Sequence, residues 1–224
     1  MLEKLTKYFD KKSVKEYVAA LFTYLLSMGI FLSPIIVDYK NLPKGYELPK
    51  VHFIQILSGI LIILGIIYVS IILADSFLKR KIKIKKSFII LTAVTILLLL
   101  SALSSSYKDI AIFGNVFREQ GVITYLLMIF SAYFTFKIVK IKEVNIFLIS
   151  IIISSTLQAL VGIGQTLDLL NRNPGIITNG IWINGSFGQA NFYAGYLIIG
   201  IFIALYFLRK QKKEIKLLTA IAIL

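Results

Sequence analysis

The feature that most constrains this chain is a series of long apolar runs separated by short basic segments. The run from Phe53 to Ala74, for example, contains no charged residue. A helix needs about 20 apolar residues to cross the hydrocarbon core of a bilayer, which is about 30 Å thick. Hydrophobic residues make up 58% of the 224 positions, above the ~45–50% that is typical of soluble domains. The pattern therefore predicts an all-α, polytopic transmembrane helical bundle.

Six of the apolar runs are long enough to be complete membrane spans. They cover residues 17–37, 53–74, 88–106, 122–139, 144–163 and 190–208, and a cut-off seventh run begins at residue 215. Residues 1–16 form a basic N-terminus, and residues 17–224 are predicted to be a single transmembrane domain. Because the run from residue 215 is too short to cross a bilayer, we expect the chain to be part of a longer protein, with a truncated gene as the alternative.

The distribution of lysine and arginine predicts the orientation of these spans. Nineteen of the 25 basic residues lie in the N-terminal segment and in the loops after the second, fourth and sixth spans. The other six lie in the alternate loops, near residues 38–52, 104–121 and 164–189. Since basic loops stay on the cytoplasmic side, we expect the N-terminus in the cytoplasm and the alternate loops on the outer face of the cytoplasmic membrane.

The composition argues against several functional classes. A formal net charge of +14 would favour nucleic-acid binding in a soluble protein, but membrane topology explains it here, so we expect the lipid bilayer and no nucleic acid as a partner. With no cysteine and one histidine, neither thiol catalysis nor a metal site is expected. No glycine-rich phosphate loop followed by Lys-Ser/Thr occurs on the cytoplasmic side, and no cofactor is predicted.

The first candidate site lies at the start of the fourth predicted span, at Arg118 and Glu119. The free N–H groups and the dipole of a helix start favour an anion. An arginine at that position can hold a phosphate or diphosphate through two parallel hydrogen bonds. The alternative is an interfacial arginine that pairs with Glu119 or Asp109.

The second candidate site is the segment from Trp182 to Gly195, which leads into the sixth predicted span. It combines glycines, amides, a hydroxyl and aromatic residues. Such a turn can offer backbone N–H groups to an anion and amide side chains to sugar hydroxyls. The alternative is a tight turn in which glycine supplies the geometry and Asn191 caps the helix.

Taken together, these two segments resemble the signatures of the O-antigen ligase and polymerase family. Phe113–Gly121 is similar to the family's F-G … R-x-x-G stretch, and Gly185–Leu197 is similar to G-T/S-F-G-N-P-N-x-x-A-x-Y-L at the start of a membrane helix. Gln189 and Ala190 replace the usual Asn-Pro pair, which leaves Asn191 in register. The resemblance covers most of this chain and the N-terminal half of a typical member.

The resemblance implies a bacterial membrane enzyme that transfers undecaprenyl-diphosphate-linked oligo- or polysaccharide to an acceptor on the outer face. The acceptor would be a lipid, a growing polysaccharide or a protein, and the reaction would need neither a metal nor a nucleotide. Its implied substrate-binding residues here are Arg118, Glu119, Asn184, Gly185, Ser186, Phe187, Gly188, Gln189 and Asn191. The catalytic residues, including a histidine on a large outer loop, are expected C-terminal to residue 224, so this chain alone is expected to be inactive.

A second hypothesis is a non-catalytic accessory membrane protein or a transporter of lipid-linked glycan. A transporter is expected to carry ionisable groups or broken helices near the membrane midplane, often in two matching halves. The apolar runs are nearly free of charge and show no such halves. The sequence therefore favours the transferase and leaves the accessory protein open.

Overall fold

The computed structural model describes residues 11–38, 46–78, 86–115, 118–167 and 183–210. Throughout these residues the regular secondary structure is helical, which confirms the all-α prediction for this part of the chain. The described helices are α1 (Lys11–Leu32), α2 (Leu48–Leu78), α3 (Lys86–Leu103), α4 (Lys108–Phe113), α5 (Val122–Ile138), α6 (Val144–Thr166) and α7 (Ala190–Lys210), and the 3-10 turn Ile141–Glu143 precedes α6.

Five helices within the described residues are long and apolar enough to cross a membrane. Their apolar stretches are Val14–Leu32, Leu48–Ala74, Lys86–Leu103, Ile141–Thr166 and Ala190–Arg209. The shorter α5 has 17 residues, which is about the lower limit for a span. These helices are those of a multi-pass membrane protein. The predicted run from residue 215 lies outside the described residues.

The first helix begins at Lys11 rather than at residue 17, and it ends earlier than the sequence predicted because Pro34 follows it. The prediction extended the span to residue 37, but α1 ends at Leu32. Proline lacks the N–H that a helical hydrogen bond needs, and it disfavours helical geometry in the residue before it. The chain turns instead, and the N–H groups of Ile35 and Ile36 donate to the Leu32 carbonyl at 2.8 and 3.3 Å.

The start of α2 and the end of α3 also differ from the prediction. α2 begins at Leu48 rather than at residue 53, with Pro49 in its first turn, where the missing N–H would have no helical acceptor. α3 ends at Leu103 rather than at residue 106. The Ser105 hydroxyl competes with the helix there, because it accepts a hydrogen bond from the Tyr107 N–H at 3.1 Å.

Three helices continue past the predicted ends of their spans. α2 reaches Leu78, α6 reaches Thr166 and α7 reaches Lys210, whereas the predicted spans ended at 74, 163 and 208. The predicted limits followed apolar composition, but a helix keeps its backbone hydrogen bonds after the chain has left the apolar layer. The predicted starts at 122, 144 and 190 coincide with the observed starts of α5, α6 and α7.

The chain divides into two compact units. The first unit comprises Met1–Leu26 and Ile54–Glu143, and the second unit comprises Ser27–Phe53 and Val144–Leu224. α1 and α2 therefore each contribute residues to both units. The single transmembrane domain expected from the sequence stays a prediction.

The core of the first unit is formed by α1, α2 and α5. Its buried members are Phe22, Leu61, Tyr68, Phe134 and Ile138. Gly65 lets the Phe134 ring approach the backbone of α2, because a Cβ at residue 65 would collide with that ring.

In the second unit α6 packs along α7. Ile152 of α6 forms a buried apolar cluster with Ala204 and Phe207 of α7. Gly200 lies against the Ser155 side chain, a close approach that small residues allow between membrane helices. This packing holds α6 beside the beginning of α7, where the second candidate site lies.

Candidate functional site

α6 carries a polar face along an otherwise apolar helix. Ser150, Ser154 and Gln158 recur every four residues, and Gln165 follows two turns later. Residues four apart lie on one face of a helix, and all four side chains are buried. Polar groups buried in a membrane helix need partners inside the protein, so this face has to meet other polar groups.

The first part of this polar face meets the end of α1 within the second unit. The Ser154 hydroxyl donates to the Phe31 carbonyl at 3.0 Å. The Gln158 amide donates to the Pro34 carbonyl at 3.2 Å. Since the last carbonyls of a helix have no helical partner, these side chains complete the end of α1 and fix the turn that follows it.

The acceptor end of Gln158 holds the turn that precedes α7. Its Oε1 atom accepts a hydrogen bond from the Ser186 N–H at 3.2 Å and lies 3.0 Å from the Ser186 hydroxyl oxygen. The same hydroxyl also contacts the Pro34 carbonyl. Because Gln158 is only 1% exposed, water has little access to these bonds.

Gln165 holds the first residues of the same turn, just before the residue that Gln158 contacts. Its Oε1 atom accepts hydrogen bonds from the N–H groups of Asn184 and Gly185 at 3.3 and 3.0 Å. Its amide nitrogen donates to the Gly185 carbonyl at 3.1 Å. One glutamine side chain therefore satisfies three backbone groups of the turn, and Asn184 and Gly185 are themselves buried.

Glycine allows the turn to close against α6 and α7. Gly185 and Gly188 have φ angles of +53° and +75°, a backbone region that favours glycine. A Cβ on Gly185 would meet the Tyr193 ring and the Gln158 side chain. The Tyr193 hydroxyl donates to the Gln158 backbone carbonyl at 3.0 Å, and Gly162 leaves the room that this hydroxyl occupies.

The beginning of α2 supplies a cation to the same turn. The Lys50 ammonium donates to the Ser186 carbonyl, and its Nζ atom lies 4.8 Å from the centroid of the Phe187 ring. Tyr46, which is 4% exposed, packs against Gly188 so closely that a Cβ there would meet its ring. The segment 46–50 thus covers one side of the turn.

The turn has a buried inner part and an exposed outer part. The side chains of Asn184 and Ser186 are 5% and 3% exposed, and their hydrogen bonds are made inside the second unit. Gln189 and Asn191, at the start of α7, are exposed. The inner residues therefore position the turn, and the outer amides are the groups that a ligand can reach.

The other predicted residues, Arg118 and Glu119, lie in the first unit, just before α5. Arg118 is exposed, and its N–H donates to the Asn115 side-chain oxygen at 2.9 Å. Glu119 has a φ of +49°, and its carbonyl accepts a hydrogen bond from the Thr124 hydroxyl at 3.0 Å. The Gln55 amide donates to the same hydroxyl at 2.7 Å. This network fixes the backbone and leaves the Arg118 guanidinium at the surface.

Seven of the nine predicted substrate-binding residues lie at the beginning of α7, six in the turn 184–189 and Asn191 in the first turn of the helix. The structure also adds residues that the sequence analysis did not identify, namely Tyr46, Lys50, Gln158, Gln165 and Tyr193. A signal for Gln158 was present, because polar residues recur every fourth position in an apolar helix of this chain. Lys50 and Tyr46 carried no comparable signal, since they are far from the turn in sequence.

Among the residues that the structure describes, no group of three or more His, Asp or Glu side chains lies close enough together to hold a metal ion. The exposed polar side chains at the end of the turn are the amides of Gln189 and Asn191, and one ammonium, that of Lys50, contacts the turn. Comparisons with protein-family models, with curated proteins and with solved structures each find no match to this chain.

Proposed function

We propose that this protein is a membrane glycan ligase or polymerase, which transfers oligo- or polysaccharide from undecaprenyl diphosphate to an acceptor on the outer face of the cytoplasmic membrane. The observation that carries the proposal is the turn Asn184–Asn191. Its sequence resembles a family signature, and its buried half is fixed by Gln158 and Gln165 while its exposed half presents amides.

The proposed reaction requires a site that binds the lipid-linked glycan and orients the acceptor hydroxyl toward it. An acceptor hydroxyl attacks the anomeric carbon, the bond from that carbon to the phosphate oxygen breaks, and the diphosphate leaves with the electron pair. The hydroxyl proton passes to a base, which we do not assign to any residue of this chain. Amides suit sugar hydroxyls because each amide can both donate and accept a hydrogen bond. A preorganised turn needs little reordering when the substrate binds, which favours transfer.

Arg118 is the proposed contact to the departing diphosphate. Its side chain is exposed, and it lies just before the N-terminus of α5, where the helix dipole also favours negative charge. An arginine can bind two phosphate oxygens at once. Support for this role comes from the resemblance of Phe113–Gly121 to the first family signature.

We also propose six complete spans with a cytoplasmic N-terminus. The 17 residues of α5 give a helix about 26 Å long, close to the thickness of the hydrocarbon core. The Lys137 ammonium at the end of α5 donates to the Ser87 hydroxyl at the start of α3 at 2.9 Å. This contact brings the start of α3 to the end of α5, as two antiparallel spans require, and the proposed orientation itself rests on the distribution of basic residues.

The orientation can be tested with single cysteines, because the natural chain has none. Gln189→Cys and Asn145→Cys are a matched pair, because both residues are exposed amides at the start of a helix. Gln189 lies just before α7, and Asn145 is the second residue of α6. A membrane-impermeant thiol reagent added to intact cells is expected to label residue 189 and to leave residue 145 unlabelled until the cells are opened. The reverse pattern would overturn the proposed orientation.

The transfer activity can be tested in the native cells by deleting the gene and restoring it as variants. Deletion is expected to raise the pool of polyprenyl-diphosphate-linked glycan and to lower the amount of transferred glycan, both measured by mass spectrometry. Restoration with Asn191→Ala should be incomplete, and restoration with the control Asn145→Ala should be complete. An unchanged lipid-linked pool after deletion would refute the proposed function.

A further inference from the structure

Lys50 is a charged side chain that the proposed reaction has not yet used. It lies in the first turn of α2, is partly buried, and directs its ammonium toward the turn before α7. An ammonium has three hydrogen-bond donors. The Ser186 carbonyl accepts one of them, and the Phe187 ring interacts with the charge through its π face.

The groups around Lys50 converge on the beginning of α7. Residues 186–188, which Lys50 and Tyr46 contact, lead directly into the first turn of that helix. The first N–H groups of a helix have no helical acceptor and carry partial positive charge. Glu47 is the acidic residue whose charge acts on Lys50, and the ring and carbonyl contacts keep the ammonium against the turn.

We propose that Lys50 binds a phosphate group of the substrate at the beginning of α7. The placement follows from the contacts of Lys50 with Ser186 and Phe187. The identity of the anion, a polyprenyl diphosphate, rests on the proposed function. Lys50 thus supplies a cation for this phosphate from within the second unit, where the amide-bearing turn also lies.

The test measures binding of two probes, inorganic pyrophosphate and a polyprenyl diphosphate, to the purified chain in phosphatidylcholine nanodiscs. Lys50→Gln removes the charge but keeps a donor for the Ser186 carbonyl, and Lys50→Arg keeps the charge. The control is Lys142→Gln, an exposed lysine in the 3-10 turn. We expect Lys50→Gln to weaken both probes roughly tenfold or more, Lys50→Arg to stay within about threefold, and Lys142→Gln to bind normally.

Three results would overturn the proposal. The first is unchanged binding in Lys50→Gln. The second is an equal loss in Lys50→Arg, because the packing on Phe187 rather than the charge would then matter. The third is that Lys50→Gln opens the turn, so that a cysteine at Ser186 is labelled by a thiol reagent in the Lys50→Gln background but not in the natural background. Lys50 would then hold the turn in place rather than bind phosphate.

Two further comparisons distinguish a diphosphate ligand from a general lipid headgroup, and failure of the Lys50 site from failure of the proposed transferase function. If phosphatidylglycerol nanodiscs compete with the diphosphate probes as well as unlabelled diphosphate does, the residue binds general lipid headgroups and the proposal fails. If Lys50-dependent binding holds while gene deletion leaves the lipid-linked glycan pool unchanged, the Lys50 site stands and the transferase fails. If the pool rises but Lys50→Gln binds normally, the transferase stands and the Lys50 site fails.

Discussion

Two glycine-containing segments each lead into an apolar helix, but different interactions hold them. Residues 114–121 precede α5 in the first unit, and residues 184–189 precede α7 in the second unit. In the first segment the Asn115 carbonyl accepts hydrogen bonds from the N–H groups of Arg118 and Glu119 at 3.2 and 2.8 Å. In the second segment the acceptors are buried side chains of α6, Gln158 and Gln165.

The two segments differ in whether neighbouring or distant residues stabilise them. Gly121 lies directly against the backbone of residues 112–114, so the described residues of the first segment are held mainly by neighbouring backbone, with one distant contact from the Gln55 amide to the Glu119 carbonyl at 3.4 Å. The second segment depends on partners about 20 to 30 residues earlier in the chain. A segment held by its own backbone is expected to tolerate nearby side-chain changes, whereas a segment held by distant side chains is expected to be lost with them.

The largest effect is expected at Gly185 of the second segment. Gly185→Val places a β-branched side chain at a φ of +53° and drives its Cβ into Tyr193 and Gln158. We expect a loss of at least ~3 kcal/mol of stability, measured as the midpoint of unfolding in detergent micelles. Gly195→Ala in α7 is the matched control, because its Cβ would meet nothing within 4 Å and alanine favours a helix. Equal behaviour of the two variants would contradict the packing described here.

The next effect is expected from the glutamines of α6. Gln165→Leu leaves the N–H groups of Asn184 and Gly185 without their acceptor, at a cost of about 1–3 kcal/mol for each buried group left unsatisfied. A cysteine at Ser186, which is 3% exposed, is expected to be protected from thiol reagents in the natural background and to react with them in Gln165→Leu. Gln189→Leu, at an exposed position, should leave that cysteine protected. Protection in both backgrounds would mean that the turn does not depend on Gln165.

A smaller effect, on activity alone, is expected at Arg118 of the first segment. Arg118→Lys keeps the charge but loses the bidentate hydrogen bonding of the guanidinium to phosphate. Glycan transfer in cells should therefore fall roughly tenfold, which corresponds to about 1.4 kcal/mol of lost transition-state stabilisation. The unfolding midpoint should not change, because the side chain is exposed. Normal transfer at normal expression would remove Arg118 from the site.

The smallest effect is expected at Glu119, the non-glycine residue with a φ of +49°. Asparagine tolerates this left-handed conformation better than glutamate does. Glu119→Asn should therefore raise the apparent melting temperature by roughly 1–3 °C, since 1 kcal/mol corresponds to about 2–4 °C in a chain of this size. A fall in melting temperature would show that the contacts of the glutamate side chain outweigh the backbone strain.

The sequence predicted three of the six span starts to the residue and none of the span ends. Val122, Val144 and Ala190 each follow a glycine-containing or charged boundary, and a helix begins at each of them. The predicted end of α1 was wrong because the apolar composition continues past Pro34, although the helical hydrogen bonds do not. Hydropathy measures which residues suit a membrane, and it does not measure which backbone groups can pair.

The turn Asn184–Asn191 could be found from its own residues, because glycine and amides are clustered there. Its inner and outer halves could not be told apart, because burial depends on where α6 lies. Gln158 and Gln165 hold the turn from another helix, and Lys50 reaches it from the start of α2. Contacts between residues that are far apart in the chain are set by tertiary packing, which the local pattern does not contain.

The most direct test of the central claim is photo-crosslinking from the outer half of the turn in living cells. A photoreactive amino acid at Gln189 is expected to capture polyprenyl-diphosphate-linked glycan, identified by mass spectrometry of the purified adduct. The same amino acid at Asn145 should capture no glycan. A glycan adduct at residue 189 alone would support a glycan site at the beginning of α7. Absence of any glycan adduct there, or equal capture at residue 145, would contradict it.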